Sequence, residues 1–485
     1  MLDWRRQMKS IKLNFAYNIL YQILVILLPL ITAPYISRVL GATGVGIYAY
    51  TYSVVYYFQL IAMLGIGNHG NRSIAAVRDS KEEVSRVFCE IYSIQITTFT
   101  LAIIVYLIYV ICIKTDYTQI ALIQLLYLIS GLLDISWFFF GLEEFKLTVM
   151  RNAAIKLVST ISIFLFVKGS SDLWKYVLIL AGGTMFSQVY LWFYLPKYIE
   201  RIPVNIVGLK RHFRPVLVLF VPVIAYSIYK VMDKIMLGDM CSYAQVGYYQ
   251  NAEKIINLPM GIITALGTVM LPRMSNLISN GQNEKANEYI NLSFKVVTII
   301  GAPIAFGLIA VSDMFTPIFY GEGFEPCSSL IRLLSVTVFF MAWANVIRTQ
   351  YLIPKHRDKV YVLSTAIGAV VNLLINFLLI PRYYANGAAI GTIMAEFSVM
   401  LVQIILIKKE IPVFGYILRQ SGYLLIAAVM CIVVWITSAR MDASVISLMK
   451  MVVLGGVIYG VGVILYAILM KDEVYTMIIS RINKK

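Results

Sequence analysis

The sequence predicts an all-α, polytopic membrane protein of about fourteen transmembrane helices, set out as two parallel six-helix repeats followed by two further helices. Three observations predict it. Of 485 residues, 60% are hydrophobic and 14% charged, where a soluble domain has about half and about a quarter. Apolar runs of about 20 residues recur along the whole chain, centred near residues 25, 56, 101, 129, 161, 184, 226, 258, 303, 340, 370, 398, 427 and 458. The chain also matches itself when shifted by about 200 positions.

Basic residues set the orientation. With the N-terminus taken as cytoplasmic, the inner segments are 1–13, 68–88, 141–156, 196–214, 271–295, 354–359, 408–419 and 471–485. They hold about 29 of the 41 Lys and Arg, and the outer side holds about 8, as the positive-inside rule requires. Both termini are therefore expected inside. The net charge of +16 follows topology rather than one basic patch, which argues against nucleic acid. The first apolar stretch continues through Pro29 and Pro34 without a small-residue cleavage site, so it reads as a retained helix. It carries Asn14, Asn18 and Gln22 at steps of four, and Pro29, Pro34 and Pro222 are expected to kink their spans.

Next come Arg38 and the glycines of Gly41-Ala42-Thr43-Gly44-Val45-Gly46, expected to form a tight outer turn. No strand or Lys-Ser/Thr accompanies them, so they are not a nucleotide loop. The polar stretches 71–88 and 273–292 read as amphipathic connectors at the interface. The repeat aligns Gly44-Val45-Gly46-Ile47-Tyr48 with Gln245-Val246-Gly247-Tyr248-Tyr249, and Arg72 with Arg273. It divides the chain into residues 1–205, 206–410 and 411–485. Six spans per repeat give both halves the same orientation, with a cleft between them. The five cysteines are scattered and odd in number, and no histidines stand at ligand spacing, so neither disulfides nor a metal is expected.

Charges inside the spans locate the chemistry, because each costs roughly 2.5–3.5 kcal/mol near a bilayer centre unless it faces a polar cavity. Lys230, Asp233 and Lys234 stand at i, i+3 and i+4 on the seventh span. Gln250, Glu253 and Asn257 share a stripe on the eighth, with Asn251 and Lys254 beside it. Asn345 and Arg348 lie on the tenth, Asn372 and Asn376 on the eleventh, and Thr392, Glu396 and Gln403 on the twelfth. The cations Lys230, Lys234, Lys254 and Arg348 outnumber Asp233 and Glu253, which favours an anionic ligand such as phosphate or pyrophosphate. The same charges also read as structural ion pairs, Asp233 with Lys230 and Glu253 with Lys254 or Lys234. Asp134 and Glu396, each alone near a span centre, are candidates to bind a proton or sodium, or to be neutral and hydrogen-bonded.

The motifs Ser37-Arg38-Val39-Leu40-Gly41, Gly44-Val45-Gly46-Ile47-Tyr48, Gly65-Ile66-Gly67 and Arg72-Ser73-Ile74-Ala75-Ala76, followed by Asp233-Lys234, Val246-Gly247-Tyr248-Tyr249 and Leu271-Pro272-Arg273, carry a family resemblance. With them the chain resembles the Wzx-type oligosaccharide flippases, in the polysaccharide-transport branch of the superfamily that also holds the multidrug-and-toxin extrusion (MATE) transporters. The resemblance implies a transporter, not an enzyme, that moves undecaprenyl-pyrophosphate-linked repeat units across a bacterial cytoplasmic membrane by alternating access, and because the internal repeat already supplies two halves a monomer is the simplest expectation. The translocated unit would feed a surface polymer such as capsule or O-antigen, and a polymerase of the same pathway would be a partner. Lys230, Lys234, Lys254 and Arg348 would neutralise the pyrophosphate. Asp233 and Glu253 would tune these cations or meet sugar hydroxyls, with Tyr226, Tyr229, Tyr248 and Tyr249 offering ring faces. Coupling to H+ or Na+ would use Asp134, Asp233, Glu253 or Glu396, with no other cofactor, and Arg38, Arg72 and Arg273 stand as candidate gate or mouth residues. A MATE-like antiporter of cationic drugs and a membrane polymerase or ligase are the alternatives. The first would favour a carboxylate-rich cavity and the second a long catalytic outer loop.

Overall fold

The computed structural model describes residues 2–112, 117–200, 202 and 206–470, with side chains from residue 27 onward except at 145, 206, 207, 221, 222, 225 and 229. The Asn14, Asn18 and Gln22 stripe, the side chains of Pro222 and Tyr229, and the basic tail 471–485 lie outside the described residues. The described chain is helical: α1 (Leu2–Met63), α2 (Ile66–Val77), α3 (Lys81–Cys112), α4 (Thr118–Leu132), α5 (Ser136–Gly141), α6 (Phe145–Phe166), α7 (Leu173–Trp192), α8 (Ile206–Met240), α9 (Tyr243–Ser279), α10 (Asn283–Tyr320), α11 (Pro326–Ser335), α12 (Thr337–Ile347), α13 (Asp358–Ile407), α14 (Val413–Leu418), α15 (Ser421–Ser438) and α16 (Val445–Leu469). Eleven stretches of the described residues are long and apolar enough to cross a membrane.

Breaks follow local sequence. α1 encloses two of the predicted apolar centres and is interrupted at Gly41, where φ is 68° and ψ is 176°. Only glycine takes that backbone conformation without strain, so the expected turn is built at the first glycine of its run. α13 also encloses two centres. Its interruption is Tyr384, at φ 53° and ψ −133°, three residues beyond Pro381. The adjoining Ala385 N–H donates to Gln245 Oε1 at 3.2 Å, which fixes this strained corner on the start of α9.

The chain packs into two compact units, residues 1–238 and 239–485. The division falls after Gly238, beyond the sequence boundary at 205/206, because α8 is bonded along its length to the first unit. The Tyr57 hydroxyl donates to the Ser227 carbonyl at 3.1 Å. Gly65 admits the Val216 carbonyl, and Gly238 admits the Tyr50 ring, so closely that a Cβ would stand 2.4 and 2.2 Å away. One apolar core of this unit joins α1, α3, α4 and α7 through Val55, Phe99, Tyr106, Leu128 and Ala181. A second joins α2, α3 and α5 through Ile66, Ile74, Phe88, Ile91, Trp137 and Phe138.

In the second unit α15 and α16 pack on α10 through Ala302, Met314, Ala427, Met430, Met451 and Tyr459. The Tyr459 hydroxyl donates to the Ile299 carbonyl at 3.1 Å. The opposite faces of these two helices present Leu425, Val429, Trp435, Val453, Val457 and Ile464 outward. An outward apolar face on a core-packed helix is what a lipid solvent selects.

Gly70 on α2 faces the Trp137 indole, and a Cβ there would come within 2.4 Å of the ring. Gly70→Ala is therefore expected to destabilise the detergent-solubilised protein by about 1–3 kcal/mol. Gly182→Ala, whose Cβ meets nothing within 4 Å, should be neutral or slightly stabilising in thermal unfolding. A second expectation concerns pH. Glu410 accepts from the Tyr351 hydroxyl and the Arg357 guanidinium, each at 2.5 Å, and these bonds hold its carboxylate below the usual range. A lowered folded-state pKa adds stability above the unfolded value, which is lost as pH falls through the folded one. Wild-type unfolding temperature should therefore fall more steeply below about pH 4.5 than that of Glu410→Gln.

Candidate functional site

The first unit places three of the predicted charges on one stripe of α8. Asp233 is 1% and Lys234 8% exposed, while Lys230 is half-buried. Tyr57 on α1, held by its bond to Ser227, lies within the field of Asp233. Tyr226 on the same helix is 41% exposed.

The same unit contains a cavity of mixed polarity. Tyr48 on α1 meets the Tyr127 hydroxyl of α4 at 3.3 Å and stacks edge-on against Tyr176 of α7, with centroids 5.0 Å apart. Below these rings is a cavity of about 240 Å³ lined by Tyr127, Tyr176, Thr32, Ser159, Thr160, Thr184 and Lys156, together with apolar side chains. Ring faces, hydroxyls and one ammonium are groups to which sugar hydroxyls and phosphate oxygens bond.

The second unit carries Glu253 and Lys254 on α9, both half-buried. Tyr249, expected to offer a ring face, is buried, and its hydroxyl lies 2.7 Å from Thr392 Oγ1 of α13. Its ring therefore serves helix packing instead. Tyr248 is half-buried and sets its ring edge-on to Phe324. The Asn251 carbonyl accepts from Tyr320 at 2.8 Å.

Arg348 opens a π-helical turn, Arg348–Leu352, closed by an Ile353 N–H to Arg348 carbonyl bond of 3.0 Å. Such turns gather at functional sites because they redirect side chains. The guanidinium donates to Asn345 Oδ1 at 2.6 Å and lies 5.8 Å from the Tyr361 ring centroid. The same turn closes on Gly267 of α9, where a Cβ would stand 2.9 Å from Asn345 Nδ2 and 3.0 Å from Thr349 Oγ1. Gly267 lies fourteen positions beyond Glu253, about 21 Å along a helix. Arg348 and the Glu253–Lys254 pair thus occupy different levels of this unit.

Of the candidate ion-coupling residues, Glu396 is buried on α13. On the same helix Asn376 donates to Asn372 at 3.2 Å, and Gly391 makes room for the Asn376 amide. Asp134 lies between α4 and α5, and its Oδ1 accepts from the Ser136 backbone N–H at 2.8 Å, which starts α5. Arg38 and Arg72 are exposed. Arg273 is also exposed, but it donates to the Tyr289 hydroxyl and its guanidinium lies 4.5 Å from that ring's centroid. It ties α9 to α10.

Two buried polar groupings escape sequence reading. Arg151, assigned to a cytoplasmic segment, is buried and donates to Gln188 Oε1 at 3.1 Å and Asn152 Oδ1 at 2.9 Å. His69 and His212 meet beside Glu90 although 143 positions apart. The available signal was that both fall in segments assigned to the same membrane side.

The chain matches the polysaccharide biosynthesis protein family over residues 11–278 and the MatE family over residues 219–378. It is 23% identical over 412 residues to a "Putative O-antigen transporter" of Escherichia coli (strain K12), covering 83% of this chain and 99% of that protein. Among solved structures, "Lipid II flippase MurJ, inward closed conformation" shares its fold with a TM-score of 0.73 and 16% identity, across 95% of this chain and 99% of MurJ. A multidrug resistance MATE family transporter of the MOP superfamily, inward-facing, gives a TM-score of 0.51 at 13% identity over 80% and 95% of the two chains. These findings bear out the motif-based resemblance: the chain is a multi-pass membrane protein that belongs to the polysaccharide biosynthesis protein family.

Proposed function

We propose that this protein is a flippase for lipid-linked oligosaccharide repeat units, carried as undecaprenyl-pyrophosphate conjugates across the bacterial cytoplasmic membrane, with both termini cytoplasmic. The observation that carries this reading is the Lys230, Asp233 and Lys234 stripe on α8, charged and mostly buried within an apolar helix. A membrane helix retains such a stripe where it meets a polar partner or cavity. The names of the relatives supply the substrate class, and the full-length likeness to MurJ supplies the fold.

In this reading Lys230 and Lys234 of the first unit, and Lys254 and Arg348 at their separate levels of the second, meet the pyrophosphate in turn along its path as the headgroup leaves water, and Asp233 and Glu253 tune these cations or accept from sugar hydroxyls. The Tyr127, Tyr176 and Thr184 cavity contributes ring faces and hydroxyls to the saccharide. The lipid tail stays in the bilayer, so only the polar headgroup needs a protein path. Alternating access moves it without covalent chemistry, in a monomer coupled to H+ or Na+, and a polymerase of the same pathway takes up the product.

The test is to delete the gene and locate lipid-linked oligosaccharide with a membrane-impermeant sugar probe, on cells and on inverted vesicles. Accumulation in the cytoplasmic leaflet, relieved by the intact gene, is the expected result. Accumulation in the outer leaflet would indicate a polymerising enzyme instead. Lys234→Ala and Arg348→Ala are expected to lower the transport rate about tenfold or more, corresponding to one lost charge-assisted hydrogen bond of roughly 1.5–3 kcal/mol. Lys175→Ala removes a partly exposed cation paired with Asp172 at 2.6 Å and should leave transport within about twofold. Equal rates for all three variants at equal expression would remove the cationic role.

A further inference from the structure

Two of the three histidines meet inside the first unit. His69 Nε2 on α2 lies 2.8 Å from His212 Nδ1 on α8. The other nitrogen of His212, Nε2, lies 2.9 Å from Glu90 Oε2 on α3. Arg211 donates to the same carboxylate oxygen from Nη2 at 2.7 Å and from Nε at 3.2 Å. The His212 and Glu90 side chains are 7% and 3% exposed. The second carboxylate oxygen fits against Gly208, where a Cβ would come within 2.0 Å. The first turn of α8 is therefore shaped around Glu90.

Charged and titratable neighbours come from all three helices. α2 supplies Arg72, whose charge acts on His69, and Ser73, whose Oγ is 3.4 Å from His69 Nε2. α3 supplies Cys89 beside Glu90. α8 supplies Arg211, whose Nε also approaches His212 Nε2 to 3.4 Å, while its Lys210 and Arg214 are exposed. Burial opposes a cation on the imidazoles most strongly, Arg72 and Arg211 oppose it further, and Glu90 favours it.

The geometry fixes how many protons the pair holds. An ionised carboxylate only accepts, so His212 Nε2 carries a hydrogen and Nδ1 is the free lone pair. With both rings neutral, His69 Nε2–H donates to that lone pair. A proton arriving from water binds His69 at Nδ1, and the hydrogen on Nε2 passes to His212 Nδ1. His212 is then an imidazolium donating to both Glu90 and His69, and each hydrogen bond survives with the His–His bond reversed. A second proton would set N–H against N–H at 2.8 Å and break the link. The donors run in a line rather than converging, and no grouping of His, Cys, Asp and Glu suited to a metal ion occurs among the described residues.

We propose that His69, His212 and Glu90 form a one-proton binding site in the first unit, loaded from water and separate from the substrate-binding charges. Imidazole titrates near pH 6.5 when unperturbed, and burial, which disfavours the charged ring, sets loading of this pair on the acid side of that value. The charge it gains is held by α8, the helix that also carries Asp233 and Lys234. The inference does not depend on the flippase reading, because its test reads protonation and not transport.

The experiment uses the full chain in lipid nanodiscs with ¹⁵N-labelled histidine, titrated from about pH 5 to 8.5. Each signal is assigned by substituting His69, His212 or His356 with Gln. His69 and His212 should shift together and take up one proton between them. Glu90→Gln should lower the shared midpoint by about one pH unit, and Arg211→Gln, which keeps the carboxylate, should raise it by about half a unit. Two independent one-proton titrations would overturn the proposal. So would a midpoint unmoved by Arg211→Gln, a readout that survives if Glu90→Gln does not fold.

Discussion

The structure depends on one constraint: hydrocarbon offers no hydrogen-bond partner, so every interruption of a membrane helix must be satisfied by another part of the chain. The gap between α4 and α5 shows this most fully. The carbonyls of Gly131, Leu132 and Asp134 there share the two hydrogens of Gln95 Nε2 of α3, at 2.8, 3.3 and 2.9 Å, and Gly131 also accepts from the Asp134 N–H at 3.2 Å. The remaining carbonyl, Leu133, accepts from Trp192 Nε1 at 2.9 Å. Gln95 Oε1 in turn takes the Trp137 indole N–H at 3.0 Å, so one buried amide closes the break and positions α5. Asp134 completes the arrangement by bonding the Ser136 N–H. The segment is irregular in backbone yet polar-satisfied, which lets it persist within an apolar core.

What sequence could and could not show follows from the range of each interaction. Helices, their apolar runs and the turn at Gly41 are written locally, in hydropathy and in glycine's access to positive φ, and they were legible. The corner at Tyr384 was not, because tyrosine carries no turn signal and its conformation is held by Gln245 about 140 positions away. Charged residues on α8 were legible as a stripe because i, i+3 and i+4 share a face. Whether a polar side chain faces a cavity or a neighbouring helix was not, since both need the same residue types. Tyr249 became a packing residue through Thr392, and Arg273 became an anchor through Tyr289, partners that no spacing rule names. The His69, His212 and Glu90 chain needs three helices to meet before it exists at all.

The distribution of charge by depth sharpens the case for an anionic ligand. Deeply buried acids and bases are in balance among the described residues: Arg151, Lys234 and Lys295 against Glu90, Asp233 and Glu396. Balance is what desolvation demands, because a fully buried charge without compensation costs several kcal/mol. Within the six charges on α8, α9 and the π-turn, Asp233 and Lys234 offset each other at depth. The excess of positive charge is left to Lys230, Lys254 and Arg348 against Glu253, all of them half-buried. In the proposed reading these half-buried cations meet the anionic headgroup. Carboxylates in those positions would have favoured the cationic substrate of a drug antiporter.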